Sequence, residues 1–204
     1  MQPSIMQMAA KQGSHFYAQQ FSNLNETDMQ WHGLEFEECE FHDCNFSAAQ
    51  WRKCKFSDCR FIGCNLSLLE LSLSQFSGVE FDECKLVGID WTRASWPPLT
   101  FASPLIFRAS IVSDSSFMGL KLDEMVMQSC RAQDVDFRDG RFHRADFSGT
   151  DFGHSLFGRT ELIDADFTDA TDYDIDIFSN KIKGAKFSRE EAIRLLNGLD
   201  IELV

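Results

Sequence analysis

The sequence is short of basic residues and of long apolar runs, and each shortage excludes a class of protein. It has 19 Lys and Arg against 32 Asp and Glu, which gives a net charge of -13 and argues against a nucleic-acid-binding protein with a basic surface. No run of about 18 consecutive apolar residues occurs, so we expect no transmembrane helix. Residues 1–12 lack the charged-then-apolar pattern of a secretory signal, and we expect a cytoplasmic protein with no membrane partner.

Recognisable catalytic motifs are also missing. The chain contains neither a Gly-rich phosphate loop nor a nucleophile elbow. None of its five His is combined with a carboxylate and a nucleophile at a spacing typical of a catalytic set. We therefore expect a protein that is not an enzyme and that has no catalytic residues, no cofactor and no metal site.

Tyrosine is scarce, whereas phenylalanine is abundant: the chain has 2 Tyr and 20 Phe. Every fifth residue from Trp31 to Phe101 is aromatic or Leu, and after a slip of one position a mostly apolar register of the same period runs from Phe107 to Phe167. All four Trp and every Phe except Phe178 lie on these registers or their continuations. Because Phe has no polar group, the regularity indicates repeated interior positions that accommodate a bare ring.

A second register, two residues before the first, holds mostly small residues and contains all seven Cys. Cys44, Cys64 and Cys84 are 20 residues apart, so they would stack closely enough for a disulfide or a thiolate metal site. Ala, Ser and Thr fill the same register elsewhere, which favours buried Cys that act as small apolar residues. An odd number of Cys argues against a disulfide framework and favours a reducing compartment.

A period of five matches neither an α-helix nor a β-strand. A five-residue unit with two inward residues can instead form one side of a coil, and four sides close a square turn of about 20 residues, which stacks into a solenoid. The sequence therefore predicts an all-β solenoid of about seven coils with a short C-terminal helix. The predicted core stack contains Phe36, Phe56, Phe76, Phe117, Phe137, Phe147, Phe157 and Phe167.

Breaks in the registers divide the chain into three parts. We interpret residues 1–12 as a flexible N-terminal tail, 13–170 as the solenoid and 171–204 as a C-terminal capping and dimerisation module. Residues 13–30 form an imperfect first turn, because Glu26 stands where the register otherwise places a large apolar residue. Asp172 likewise replaces a large apolar residue of the register, so the clear repeat ends near Ala170.

The register slips near residues 102–106, next to a stretch that holds three of the four Pro. Pro cannot donate to a backbone ladder, so this stretch is expected to bulge outward. One interpretation is a loop that contacts a partner, with Trp96, Pro97 and Pro98 as candidate contact residues. The other is a bulge of a single inserted residue that only rotates the two halves of the solenoid.

The C-terminal module has the features of a capped helix followed by a strand. Ser188 and Glu191 have the spacing of a capping box, which predicts that a helix begins at Ser188. Ile201 and Leu203 alternate with acids, which favours a short strand. The apolar residues predict a C-terminal homodimer, and simple capping of the solenoid is the alternative. The predicted dimer interface contains Ile193, Leu195, Leu196, Leu199, Ile201 and Leu203.

The densest acidic cluster lies in residues 26–43, which contain no Lys or Arg. It is interpreted either as a solvated face that maintains solubility or as a surface that docks into a basic groove. The candidate partner-binding residues are Glu35, Glu37, Glu38, Glu40 and Asp43.

The five-residue unit resembles that of the pentapeptide-repeat proteins. The stretches Phe36–Phe46, FEECEFHDCNF, and Ala145–Phe152, ADFSGTDF, are typical of the family. The resemblance covers most of the chain and implies a right-handed quadrilateral β-helix.

Within that family the chain looks like the branch of Qnr, MfpA and the albicidin and microcin immunity proteins. Ser129–Arg138 and Asn197–Leu203 look like that branch, and Asp90–Pro97 is similar to albicidin-resistance relatives. Its members form tail-to-tail dimers and act on DNA gyrase and related type II topoisomerases. The resemblance implies a homodimer that binds DNA gyrase or topoisomerase IV, partly as a DNA mimic, and that does not bind nucleic acid directly. It also implies that the protein gives resistance or immunity to an albicidin-, microcin- or quinolone-like agent.

Two other classes of function stay open at this point. One is a scaffold repeat protein without a topoisomerase partner, which would use the outward Leu68 and Leu73 as a protein-contact patch. The other is a metal-binding enzyme that uses the Cys register.

Overall fold

The computed structural model describes residues 3–96, 105–199 and 201. They form a parallel β-solenoid of about 8 turns, one more than the repeat predicts. An α-helix, α1, precedes it at Ile5–Gln12, and 3₁₀ helices span Trp91–Arg93 and Glu191–Leu199. The strands are β1 His15–Tyr17, β2 Gln20–Ser22, β3 Gln30–His32, β4 Glu35–Glu37, β5 Glu40–His42, β6 Gln50–Arg52, β7 Lys55–Ser57, β8 Arg60–Ile62, β9 Gln75–Ser77, β10 Val79–Asp82, β11 Leu105–Arg108, β12 Val126–Gln128, β13 Asp166–Phe167 and β14 Lys186–Phe187.

The repeat explains why these short strands pair in parallel. A step of 20 residues returns the chain to the same side, so Phe36 of β4 pairs with Phe56 of β7, and Phe41 of β5 pairs with Phe61 of β8. The sheets have the orders β1-β4-β7-β9, β12-β11-β10-β8-β5-β2, β3-β6 and β13-β14. Isolated parallel bridges such as Asn45↔Asn65 continue the same register where no strand is long enough to be assigned.

The pairings define four faces, which we number in chain order by their interior residues. Face 1 is built on Phe16, Phe36, Phe56, Phe76, Leu122, Phe142 and Leu162. Face 2 is built on Phe21, Phe41, Phe61, Phe81, Phe107, Met127, Phe147 and Phe167. Face 3 is built on Phe46, Leu66, Leu86, Val112, Ala132 and Phe152. Face 4 is built on Trp31, Trp51, Leu71, Trp91, Phe117, Phe137 and Phe157.

The core is a set of parallel ring stacks along the axis. The rings of Phe36 and Phe56 have centroids 5.1 Å apart and lie 7° from parallel, and those of Trp31 and Trp51 are 4.9 Å apart and 4° from parallel. All eight predicted core Phe are buried, and Phe178, which lies off the register, is 74% exposed. The five-residue period therefore selects the interior positions.

The corner residues have left-handed backbones. Each corner lies two residues after an interior position, and its φ is +53° at Glu38, +51° at Asp43 and +57° at Asp134. Gly, Asn and Asp adopt this region with the least strain. Many of the chain's Asp stand at such corners, so part of the acidic composition has a backbone cause.

All seven Cys are free and buried, and they fill a donor position of the repeat. The Cys64 Sγ lies 3.3 Å from the Phe41 carbonyl oxygen and 3.4 Å from that of Ile62. Ser110 in the same register donates through Oγ to the Phe81 carbonyl at 3.2 Å. Burial raises the pKa of Cys54 to about 11 and that of Cys130 to about 12. These thiols are therefore interchangeable with Ser in structural terms.

The N-terminal segment is not the loose tail that the sequence analysis expects. Ser4 and Gln7 form a capping box that begins α1, and the Ile5 side chain is completely buried. The Ile5 N–H donates to Glu26 Oε1 at 2.9 Å, and Glu26 is only 1% exposed. Glu26 is thus accommodated at an interior position of the register because the N-terminus of α1 covers it.

The turn that contains the register slip has more than one inserted residue. Hydrogen bonds from a backbone N–H to a side chain of the next turn measure the number of residues per turn. The Cys44 N–H donates to the side chain of Cys64, 20 residues later. The N–H groups of Cys84 and Ile89 donate to the side chains of Ser110 and Ser115, 26 residues later. A slip of one position and an insertion of six give the same phase in a five-residue repeat. The interpretation as a one-residue bulge was therefore wrong, and the extra residues lie between Trp96 and Leu105.

The C-terminal turn also departs from the expected register. Tyr173 is buried in place of Asp172, a local displacement of one residue, whereas Ile175 is buried on the register of small residues. The 20-residue step is kept in the pairs Glu161↔Lys181 and Phe167↔Phe187. The Ser188 Oγ accepts from the Asp169 N–H at 2.7 Å rather than capping a helix, and the 3₁₀ helix begins at Glu191. Ile201 is not in a strand, and Leu203 lies outside the described residues. No helix in the described part of the chain is long and apolar enough to cross a membrane.

Candidate protein-contact surfaces

The predicted acidic residues wrap one edge of the solenoid within a single turn. Glu35 and Glu37 flank the buried Phe36 on face 1, and Glu38 stands at the corner between faces 1 and 2. Glu40 lies on face 2 and Asp43 at the corner that leads to face 3. The structure therefore brings the five together on adjoining faces.

The next turn neutralises one member of this cluster. Lys55 Nζ lies 2.8 Å from Glu35 Oε1, and this hydrogen bond lowers the pKa of Glu35. His15 and His42 lie 3.4 Å and 2.9 Å from Glu37 and Glu40. The absence of bases from residues 26–43 is misleading because Lys55, 20 residues after Glu35, lies beside it in the next turn.

Glu38 and Asp43 form no ion pair within the described residues. The negative charge of Glu38 raises the pKa of the exposed Tyr17 hydroxyl. Asp43 reaches over the next turn toward Gly63, where a Cβ would lie 2.7 Å from Asp43 Oδ1. Within the described residues, Glu35 is therefore the only member of the predicted cluster that has a Lys or Arg partner.

Most other carboxylates without an ion pair in the described ranges lie on faces 2 and 3 and at their corners. On face 2, Asp146 and Asp166 stack in successive turns, and Lys186 pairs with Asp166 at 2.9 Å but leaves Asp146 without a cation. Glu80 holds both Arg60 and Arg108, at 3.0 Å and 3.2 Å. The exposed or half-buried carboxylates without an ion pair on faces 2 and 3, at the corner between these faces and at the corner of face 3 with face 4 are Asp28, Asp43, Asp82, Glu83, Asp114, Asp134, Asp146, Asp151 and Asp169. We call them the acidic side.

Face 4 has a different character. Its C-terminal half is neutralised by Arg138–Asp136 at 2.8 Å and Arg159–Asp139 at 2.6 Å. The exposed large apolar residues on face 4 and at its two corners include Leu68, Leu73, Met118, Leu156 and Phe178. Acidity is therefore distributed unevenly around the solenoid.

Of the candidate loop contacts, only Trp96 belongs to the described residues. Its indole Nε1–H donates to the Trp91 carbonyl at 3.0 Å, and its ring packs 6.1 Å from that of Phe76. Trp96 is half-buried and closes the core beside the insertion. Pro97 and Pro98 lie outside the described residues.

The candidate dimer residues separate by exposure. Ile193 and Ile201 are more than half exposed, at 52% and 54%, whereas Leu195 packs against the core. Leu196 and Leu199 are half-buried. Arg194 fixes the 3₁₀ helix to the last turn through Asp172 at 2.6 Å, and Glu191 of the same helix accepts from the Asp172 N–H at 3.4 Å.

A cleft of about 620 Å³ separates this helix from the corner of faces 3 and 4, and His154, Asp172 and Asn197 are among its lining residues. Within the ranges that the structure describes, no three His, Cys, Asp or Glu are placed to hold a metal ion.

The fold is similar to that of QnrB1, a plasmid-mediated fluoroquinolone resistance protein. Two trypsin-treated forms match with a TM-score of 0.65 at 22% and 23% identity, over 93% of this chain and 91% and 89% of theirs. The full-length form matches with a TM-score of 0.53 at 21% identity, over 92% of this chain and 100% of its own. A sequence search of curated proteins returns no match.

The family model described as the pentapeptide repeat region matches residues 34–106 and 102–167. These ranges contain the stacked strands, the left-handed corners and the insertion. The chain belongs to the pentapeptide-repeat family.

Proposed function

We propose that this protein binds DNA gyrase or topoisomerase IV, partly as a DNA mimic, and gives resistance or immunity to a gyrase-targeting toxin or drug. The observation that carries the proposal is the acidic side, a set of exposed and half-buried carboxylates on two adjoining faces and their corners with no ion-pair partner in the described residues. A basic groove that normally holds DNA is complementary to such a surface. The fold similarity to a fluoroquinolone resistance protein supports the same function.

The charge density is compatible with partial mimicry. About 8 turns at roughly 4.8 Å each give a solenoid of about 38 Å. Duplex DNA of that length carries roughly 22 negative charges, against a net charge of -13 for this chain. One protomer therefore supplies more than half of the charge of the DNA that it would replace.

The direct test is supercoiling by purified gyrase with albicidin, microcin or a quinolone present, with and without this protein. We expect the protein to restore supercoiling in at least one of the three reactions. The proposal would be contradicted if the protein restores supercoiling in none of the three reactions and also leaves supercoiling unchanged when no inhibitor is present.

A matched pair of variants locates the contact. Asp82→Asn, Glu83→Gln, Asp114→Asn and Asp134→Asn together remove charge from the acidic side, and we expect protection to be lost. The control Asp136→Asn with Asp139→Asn neutralises paired acids on face 4, and we expect protection to be retained. Asn also tolerates the left-handed backbone at Asp114, Asp134 and Asp139.

The homodimer is proposed as part of the same function. The exposed Ile193 and Ile201 lie at the C-terminal end, where two solenoids could join end to end. Such a dimer would double the length of the acidic side.

A further inference from the structure

The corner between faces 4 and 1 carries three exposed residues of unusual character for this acidic chain. Lys53, Leu73 and Arg93 stand one above the other in successive turns. The Lys53 N–H donates to the Ser72 carbonyl and the Leu73 N–H to the Arg93 carbonyl, both at 2.9 Å. Leu73 is 54% exposed. The corner therefore presents an apolar side chain between two cations.

A second exposed leucine extends this corner across face 4. Leu68 is 61% exposed and lies over Gly88, where an added Cβ would meet Leu68 Cδ2 at 2.8 Å. Clefts of about 270 and 360 Å³ adjoin Leu68 and Leu73, and both are lined by Glu70 and Arg93. The two leucines thus border one continuous recessed surface.

The cations at this surface are not used internally. Arg52, Lys53 and Arg93 form no ion pair within the described residues, whereas ten of the other 16 Lys and Arg do. In the same described ranges, the six others without an ion pair are Lys11, Lys85, Lys121, Arg131, Lys183 and Arg189. The paired ones are Lys55, Arg60, Arg108, Arg138, Arg141, Arg144, Arg159, Lys181, Lys186 and Arg194. Free cations beside exposed leucines are unexpected on a protein whose net charge is -13.

We propose that Arg52, Lys53, Leu68, Leu73 and Arg93, the cationic leucine patch, bind a peptide segment of a partner protein that combines acidic and large apolar residues. Carboxylates of the segment would pair with the three cations, and its apolar side chains would cover the leucines. Arg beside apolar contact area is typical of the centre of protein interfaces. The step from Lys53 to Arg93 is about 10 Å, which three or four extended residues span.

Two other occupants fit this surface less well. Nucleic acid would pair its phosphates with the three cations but would leave the leucines uncovered. A second copy would present its acidic side, where Leu68 is the one exposed large apolar residue among those the structure describes. An acidic and apolar segment satisfies both the charge and the leucines.

Peptide display on the full chain tests the composition of the partner. Random 12-residue peptides are selected for binding to the wild type. Peptides that also bind the triple variant Arg52→Glu, Lys53→Glu, Arg93→Glu are then removed. We expect the selected peptides to be enriched in Asp and Glu together with Leu, Ile and Phe. No enrichment over the starting library, or enrichment in Lys and Arg, would overturn the proposal.

Single variants then test the leading peptide by fluorescence anisotropy. We expect Leu73→Ser and Arg93→Glu each to weaken binding at least tenfold, and Arg131→Glu, an exposed cation on face 3, to leave it unchanged. Equal loss with Arg131→Glu, or displacement of the peptide by a short DNA duplex at low concentration, would reject the patch as a site for acidic peptides. The variant that neutralises Asp82, Glu83, Asp114 and Asp134 should bind the peptide normally, so failure of the gyrase proposal leaves this result intact.

Discussion

At the scale of the residue, position within the five-residue unit decides what each side chain does. An interior Phe contacts rings in its own turn and in the turns above and below, whereas Phe178, outside the register, faces solvent. A corner Asp has a left-handed backbone, which Asp adopts more readily than most residues. The acid count alone therefore overstates how many carboxylates serve a partner, and the unpaired ones are the relevant subset.

Phe147 and Phe178 form a matched pair for testing the interior assignment. Phe147 is completely buried, with its ring 5.5 Å from that of Phe152 and 5.1 Å from that of Phe167. We expect Phe147→Ala to lower the free energy of unfolding by about 3–5 kcal/mol, through lost burial and the cavity it leaves. Phe178→Ala should change it by less than about 0.5 kcal/mol. Urea denaturation followed by circular dichroism measures both, and equal effects would refute the assignment.

At the scale of the element, the sequence predicted the repeating part well and the irregular parts poorly. The period of five identified the interior positions because every turn repeats the same constraint. It could not give the length of the insertion, since phase fixes an insertion only to within multiples of five. It also did not identify α1, although Ser4 and Gln7 have capping-box spacing, because Glu26 at an interior position made the first turn look imperfect and residues 1–12 were interpreted as a tail.

The attachment of α1 to the first turn depends on one buried carboxylate. Glu26→Ala would leave the Ile5 N–H without its acceptor, and we expect a loss of about 1–3 kcal/mol in the free energy of unfolding. Glu26→Gln keeps an acceptor oxygen and should lose less. Amide hydrogen exchange should also become faster in α1 of the Ala variant. The exposed Glu70→Ala is the control, and the same loss in both Ala variants would argue against an anchoring role.

At the scale of the whole molecule, stacking changes the meaning of the charge pattern. Residues 26–43 contain no Lys or Arg, but Lys55 from the next turn pairs with Glu35. The acidic side and the cationic leucine patch emerge only when residues 20 positions apart are brought together. The linear sequence therefore predicted that the surface is acidic, but not which faces carry the unpaired charge.

The C-terminal end is the remaining feature at this scale, and its exposed apolar residues predict a dimer. Ile193 and Ile201 are the better test positions, because Leu195 already packs on the core and Leu196 and Leu199 are half-buried. We expect Ile193→Glu with Ile201→Glu to halve the molecular mass measured by light scattering, while the far-ultraviolet circular dichroism spectrum stays the same. Met118→Glu places a charge at an equally accessible position on face 4 and should leave the mass of the dimer unchanged. A dimeric mass that the double variant does not alter would place the interface elsewhere. A wild type that is already monomeric would place the function in a single solenoid. The acidic side of one protomer would then have to suffice for binding.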